Sequence, residues 1–181
     1  LYHTMIAPNL WNDVDGSYRG RDNQVHPNPG HDVYTVFSLW DTHRALHPLL
    51  TILEPKRTSD FVQTFLRQYE QSGRLPVWEL AANETECMIG NHSIAVIADA
   101  YAKGIRGFDL RLALEAMEKT VGRNSPDLNA YRAWGSIQSS ESPESVSKTL
   151  EYAYDDWCIA QLAKAVGDSQ SYHLYLRQAQ Q

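Results

Sequence analysis

MIGNHSIAVIADAYAK, residues 88–103, decides the fold class: apolar or small side chains fall on nearly every side of the helix it would form, and Gly104 follows as a stop. A helix buried all round needs other helices on more than one face. Working outward, the chain supplies them. Thr35 to Leu53 is apolar on one face and ends before Pro55. Ser59 can cap a second helix in which Phe61, Val62, Phe65, Leu66 and Tyr69 share a face, with Gly73 as its stop. On the other side, Asp109 caps a helix carrying the stripe Leu110, Leu114, Met117 and Val121, which Gly122 terminates. Ser125-Pro126-Asp127 opens a shorter helix to Trp134, and Ser142-Pro143-Glu144 has the same order of cap, proline and acid and opens the longest, to about Val166. A last amphipathic piece starts near Ser169. Strand signals are weak and no hairpin dipeptide sits between alternating runs, so the expected class is all-α, a double layer of inner and outer helices.

Residues 1–33 read differently, as an irregular, loop-rich lead-in punctuated by Pro8, Gly16, Gly20, Pro27, Pro29 and Gly30. The whole, 181 residues with 43% apolar and 21% charged side chains, is enough for one sizeable core. The expectation is a single domain over residues 1–181, and a partial one, since the chain opens on Leu1 without a methionine. A formal charge of −6 offers phosphate backbones no attraction, which argues against nucleic acid as partner. No run approaches the length of a membrane span. Cys87 and Cys158 cannot make a disulfide framework, although one bridge is possible.

Chemistry concentrates in LPVWELAANETECM, residues 75–88, where Glu79, Glu84 and Glu86 stand with Trp78 and Asn83 just before the buried helix. A carboxyl at the mouth of an apolar helix loses solvation, its pKa rises, and it can act as a general acid. The competing reading is that Glu84 or Glu86 caps that helix, where negative charge is favoured. On the longest helix Glu151, Asp155 and Asp156 crowd one side, while Val146, Leu150, Ala153, Trp157 and Ala160 form an apolar stripe away from them. Either a calcium or sugar-hydroxyl site, or an arginine from a neighbouring helix, would offset that repulsion. His43 and His47 are spaced as metal-binding histidines can be, but no third ligand is evident, and with Asp41 and Arg44 beside them they read as hydrogen-bonding groups in a polar cleft. Asp13, Asp15, Gly16 and Asp22 lack the spacing and closing Glu of an EF-hand loop. Trp134 and Trp157 read as core. Trp40 and Trp78, each beside an acid, are better candidates for a platform under a sugar ring.

Four stretches together resemble glycoside hydrolase family 92, the calcium-dependent exo-acting α-mannosidases. They are Tyr2-His3-Thr4-Met5 with Asp13 to Gly20, YTVFSLWDTHRALHPLL (34–50), LPVWELAANETECMIGNHSIAVIADAYAKGI (75–105) and SVSKTLEYAYDDWCIA (145–160). The resemblance implies part of an (α/α)6 barrel, with the rest of the catalytic domain and a preceding β-sandwich domain in the full-length protein. It implies inverting release of terminal α-mannose from N-glycan or mannan substrates, with calcium contacting the sugar. It also implies a periplasmic or secreted location. Carried onto this sequence, Glu84 is the general acid with Glu79 as the runner-up. Trp40 and Asp41 would bind the terminal mannose, with Arg44, Trp78 and Asn83 beside them. Glu144 would contact the leaving sugar, although Pro143 stands where α-1,2-specific members are expected to carry His. Asn91 stands where an aromatic is usual. Calcium would take carboxylates that include Glu151 and Asp155. The general base is expected in a motif downstream of this chain. A non-catalytic helical carbohydrate-binding or scaffold module is the alternative.

Overall fold

The structure, a computed structural model, describes residues 1–180. After a 3-10 turn at His3–Met5, five short strands precede the first helix: β1 (Asn9–Leu10), β2 (Tyr18–Arg19), β3 (Val25–His26), β4 (Tyr34–Thr35) and β5 (Phe37–Ser38). Helices α1 (Leu39–Thr42), α2 (Leu46–Leu53) and α3 (Pro55–Ser72) follow, then β6 (Trp78–Leu80) and β7 (Asn83–Glu84). The remainder is helical: α4 (Ser93–Ala102), α5 (Leu110–Gly122), α6 (Pro126–Trp134), α7 (Ser145–Val166) and α8 (Ser169–Gln178). The molecule is therefore mostly helical, but it is not purely α. Three small antiparallel sheets, β1–β4, β2–β3 and β5–β6–β7, stand in its first half.

The apolar core lies among α2, α3, α4, α5 and α7. Phe37, Phe61, Phe65, Ile94, Ile97, Met117, Ile159 and Leu162 are all fully enclosed there. Phe37 and Phe65 meet edge to face at 4.7 Å, the arrangement that the ring quadrupole favours. A smaller cluster, Leu128, Tyr131, Ile137 and Tyr152, joins α6 to α7. Local rules place α5 and α6 as expected. Asp109 accepts the N–H groups of Arg111 and Leu112, and Ser125 accepts that of Leu128 ahead of Pro126 in the first turn.

Four boundaries differ from expectation, three of them where a distant contact outweighs local pattern and the fourth through a local one. The helix expected from Thr35 to Leu53 is instead two strands and two helices. Thr35 gives its hydroxyl to Glu79, Phe37 pairs with Glu79, and Val36 between them adopts φ 67°. Helix α3 starts at Pro55 rather than after Ser59, whose hydroxyl lies against Gly107. Residues 88–92 are not helical: Met88 and Gly90 have positive φ, and the Asn91 N–H goes to the Asp155 carboxylate. At α7 the N-cap position is Glu144, not Ser142, whose hydroxyl takes the Lys148 ammonium instead.

Helix α7 also departs from its expected orientation. Asp155 and Asp156 are buried, whereas Val146 (72% exposed), Leu150 (67%) and Trp157 (46%) face outward. Trp134 is exposed as well rather than in the core. Both cysteines are free thiols, Cys87 exposed and Cys158 buried. In the lead-in, Asp15 closes a local turn on Ser17 and Asp22 pairs with His26. No helix among the described residues is long and apolar enough to cross a membrane.

Candidate active site

Register places most of the expected sugar-site residues around one sheet. Ser38 pairs with Trp78 and Leu80 with Asn83, so Trp40, Asp41, Trp78, Glu79, Asn83 and Glu84 all lie on or next to β5–β6–β7. Backbone strain gathers at the same place. Val36 (φ 67°), Ala81 (50°), Ala82 (63°), Glu86 (56°) and Met88 (67°) are all left-handed without being glycine. Each such residue costs about 1–3 kcal/mol and persists only where neighbouring contacts enforce it, commonly at ligand sites.

Glu79 is one of the enforcing contacts. Its buried carboxylate accepts the Thr35 hydroxyl at 2.9 Å, the Ala82 N–H at 2.5 Å and the Val36 N–H. Burial pushes its carboxyl above the usual range, against the pull of those donors. Glu84 is the other. It accepts the N–H groups of Val77 (2.9 Å), Trp78 (2.8 Å) and Glu86 (3.2 Å), and Arg21 lies 3.7 Å away, both side chains being almost enclosed. Neither Glu84 nor Glu86 caps α4. Glu86 pairs with Arg74, which holds its carboxyl below the ordinary carboxylate range. The exposed or half-exposed groups at the sheet are Trp40, Trp78, Asn83 and Asp41, the last accepting the Ser38 hydroxyl. Two indole faces beside a carboxylate and an amide can take the apolar face and the hydroxyls of a sugar ring.

The other expected residues form separate groups. Glu144 pairs with Lys148 at 3.3 Å, and Lys148 also holds Asp127 at 2.8 Å. Arg44 reaches across to Glu151 at 2.5 Å and donates to His43 Nε2 at 3.3 Å, so an arginine from a neighbouring segment offsets Glu151, though not Asp155 or Asp156. His47 is not in a polar cleft: it is buried with its ring edge-on to Phe61, and burial lowers its pKa to about 4. Asp155 and Glu151 do not converge. Asp155 Oδ2 accepts from the Asn91 backbone (3.0 Å) and side chain (3.3 Å), while Glu151 faces Arg44 and His92. Calcium takes six to eight oxygen ligands. A guanidinium and two imidazoles around Glu151 do not fit that ion.

Sequence reading missed His92, Arg21 and Thr35. His92 was placed inside a helix that starts after it, and Arg21 and Thr35 reach Glu84 and Glu79 across 63 and 44 positions, a relation that no spacing rule carries.

The sequence model of the glycosyl hydrolase family 92 catalytic domain matches residues 1–181. A protein of Arthroderma benhamiae called an uncharacterized secreted glycosidase is 30% identical over 138 residues, 67% of this chain and 18% of its own length. A family 92 α-mannosidase of Bacteroides thetaiotaomicron, solved in complex with mannoimidazole, is 44% identical and superimposes with TM-score 0.94 over 98% of this chain and 24% of its own. A family 92 inverting mannosidase of the same organism gives 34% identity and TM-score 0.90 over 98% of this chain and 25% of its own. The chain thus spans about a quarter of the length of these solved relatives. With the family model matching from end to end and the fold shared with solved members, the chain belongs to glycosyl hydrolase family 92.

Proposed function

We propose that the protein carrying this chain is an exo-acting α-mannosidase that releases terminal mannose with inversion, and that these helices are part of an (α/α)6 catalytic domain. The observation that carries the reading is the likeness, at 44% identity and TM-score 0.94, to an α-mannosidase solved with mannoimidazole. Trp40, Asp41, Trp78 and Asn83 supply the sugar contacts, with Arg44 and Glu144 at the margins. Inversion needs an acid and a base on opposite sides of the ring, about 6.5–9.5 Å apart. Glu84 is the proposed acid and Glu79 its rival; the base is assigned to the part of the relatives' length that this chain does not span. Calcium dependence follows from the resemblance alone. Secretion, or export to a periplasm, is supported by the naming of the fungal relative.

One observation favours a second reading. Both candidate acids are engaged by backbone donors within the protein, as in a carbohydrate-binding module whose carboxylates only brace loops. The test uses the full-length protein on α-linked mannobioses and on 2,4-dinitrophenyl α-mannoside, with calcium or with chelator. The nitrophenolate leaves without protonation. A general acid at Glu84 requires that Glu84→Gln lose about 10²- to 10⁴-fold on mannobiose while keeping most activity on the aryl mannoside. Equal loss on both, with a fall in melting temperature, would make Glu84 a loop clasp and pass the acid to Glu79. Binding of mannobiose without turnover by the native protein supports the module.

A further inference from the structure

Beside the sugar site, the imidazoles of His43 and His92 stack with ring centres 3.9 Å apart and planes 3° from parallel. Glu151 brings a carboxylate oxygen to 3.5 Å from His92 Nε2, and one ligand atom from each of the three residues lies within 4.8 Å of the others. Two imidazoles stacked this closely repel one another if both are charged. Burial keeps His92 neutral, with a pKa of about 3, and lowers His43 as well. A neutral imidazole has one N–H and one lone pair. His43 Nδ1 lies 3.0 Å from the Leu39 carbonyl and 3.2 Å from that of Trp40, so the proton sits there and Nε2 presents the lone pair.

His92 is odder. It is 1% exposed, yet neither ring nitrogen has a hydrogen-bond partner. Orphaned polar atoms of this kind are uncommon in a core and call for an explanation. The backbone also comes close on the Nε2 edge of the ring, the edge that faces Glu151. Gly90 adopts φ +82° and packs so closely that a Cβ there would come within 2.5 Å of His92 Nε2. Carbonyls that fix one nitrogen so that the other points at a common centre are how metalloproteins orient histidine.

We propose that His43, His92 and Glu151 bind one divalent transition-metal ion, with zinc as the probe. Two imidazole nitrogens and one carboxylate are a donor set for zinc and a poor one for calcium. His43 and Glu151 also line a cleft of about 540 Å³ shared with Arg44, Asp99 and Tyr154, which gives the ion an entrance. Two movements accompany binding. Ligand nitrogens around tetrahedral zinc lie about 3.3 Å apart with converging lone pairs, so the stacked rings must splay. Arg44 must also release Glu151 and withdraw its Nε from the His43 Nε2 lone pair, 3.3 Å away; its side chain, more than half exposed, has room to swing away. Arg44 thereby competes with the ion for Glu151.

The full-length protein, stripped with chelator, would be titrated with Zn²⁺ by calorimetry and with Co²⁺ by visible absorption. The expected result is one ion whose cobalt bands disappear in both His92→Gln and Glu151→Gln. Arg44→Ala is expected to tighten that ion tenfold or more. Glu151 lies at the cleft edge, so Glu151→Gln keeps the test open if His92→Gln does not fold. Cobalt spectra identical in native protein and Glu151→Gln, or binding weakened by Arg44→Ala, would overturn the assignment. Neither outcome depends on mannoside turnover.

Discussion

Asp156 and His47 are both buried, and pH acts on them in opposite directions. Burial raises the Asp156 carboxyl from 3.8 to about 7, so the stability it contributes is complete below about pH 4 and is lost as pH rises through 7. His47 and His92, lowered from 6.5 to about 4 and about 3, contribute stability that is complete above pH 6.5 and lost as pH falls towards those values. Between pH 4 and 6.5 the two histidines outweigh the one aspartate, so the native protein shows only the difference. Asp156→Asn should reveal them: relative to native, its stability should improve from pH 4.5 to pH 8 by a swing of about 2–4 kcal/mol. Denaturant midpoints at the two pH values measure it, and parallel curves would refute it. Gly90→Ala is a second residue-scale case. It forces a side chain into left-handed backbone and onto the His92 ring, which should cost about 1–3 kcal/mol in a melting experiment and displace that ring. Glu79 and Glu84 were legible as acids massed before a buried helix. Their use as clasps for Val36, Ala82 and Val77 was not, because backbone donors leave no mark on side-chain pattern.

At the scale of the element, α7 illustrates how amphipathic reading fails in a layered helical protein. Pattern alone takes Val146, Leu150 and Trp157 as the buried stripe and Glu151, Asp155 and Asp156 as the face to be neutralised. The fold turns the acids inward instead, to Asn91 and Tyr131, and leaves the stripe in solvent with Tyr154 beside it. The helix has more than one face to cover, and residue type does not say which neighbour covers which. Burying each of these large side chains would contribute about 1.5–3 kcal/mol. The 181-residue chain by itself should therefore self-associate through α7 at micromolar concentration. Leu150→Glu combined with Trp157→Glu should shift it towards monomer in sedimentation velocity, with unchanged helical circular dichroism. A monomeric native chain at the same concentration would contradict this.

For the whole molecule, the chain spans about a quarter of the solved relatives, and its reading as a mannosidase divides accordingly. Release of mannose is expected from the full-length protein and not from this chain alone, because the proposed acid lies here and the proposed base does not. A reducing-sugar assay on both decides it, and turnover by the 181-residue chain would move the base inside it. Helical content, the caps at Asp109 and Ser125 and the family were determined by the sequence by itself, since each rests on residues near one another in the chain or on long matched stretches. Tertiary structure alone decided the sheet at Glu79, the inward turn of Asp155, the salt bridge from Arg44 to Glu151 and the stacking of His43 on His92. The physical reason is common to all four. Each brings together partners more than 40 positions apart, and there contacts made only in the folded chain outweigh the local preference that sequence reading can see.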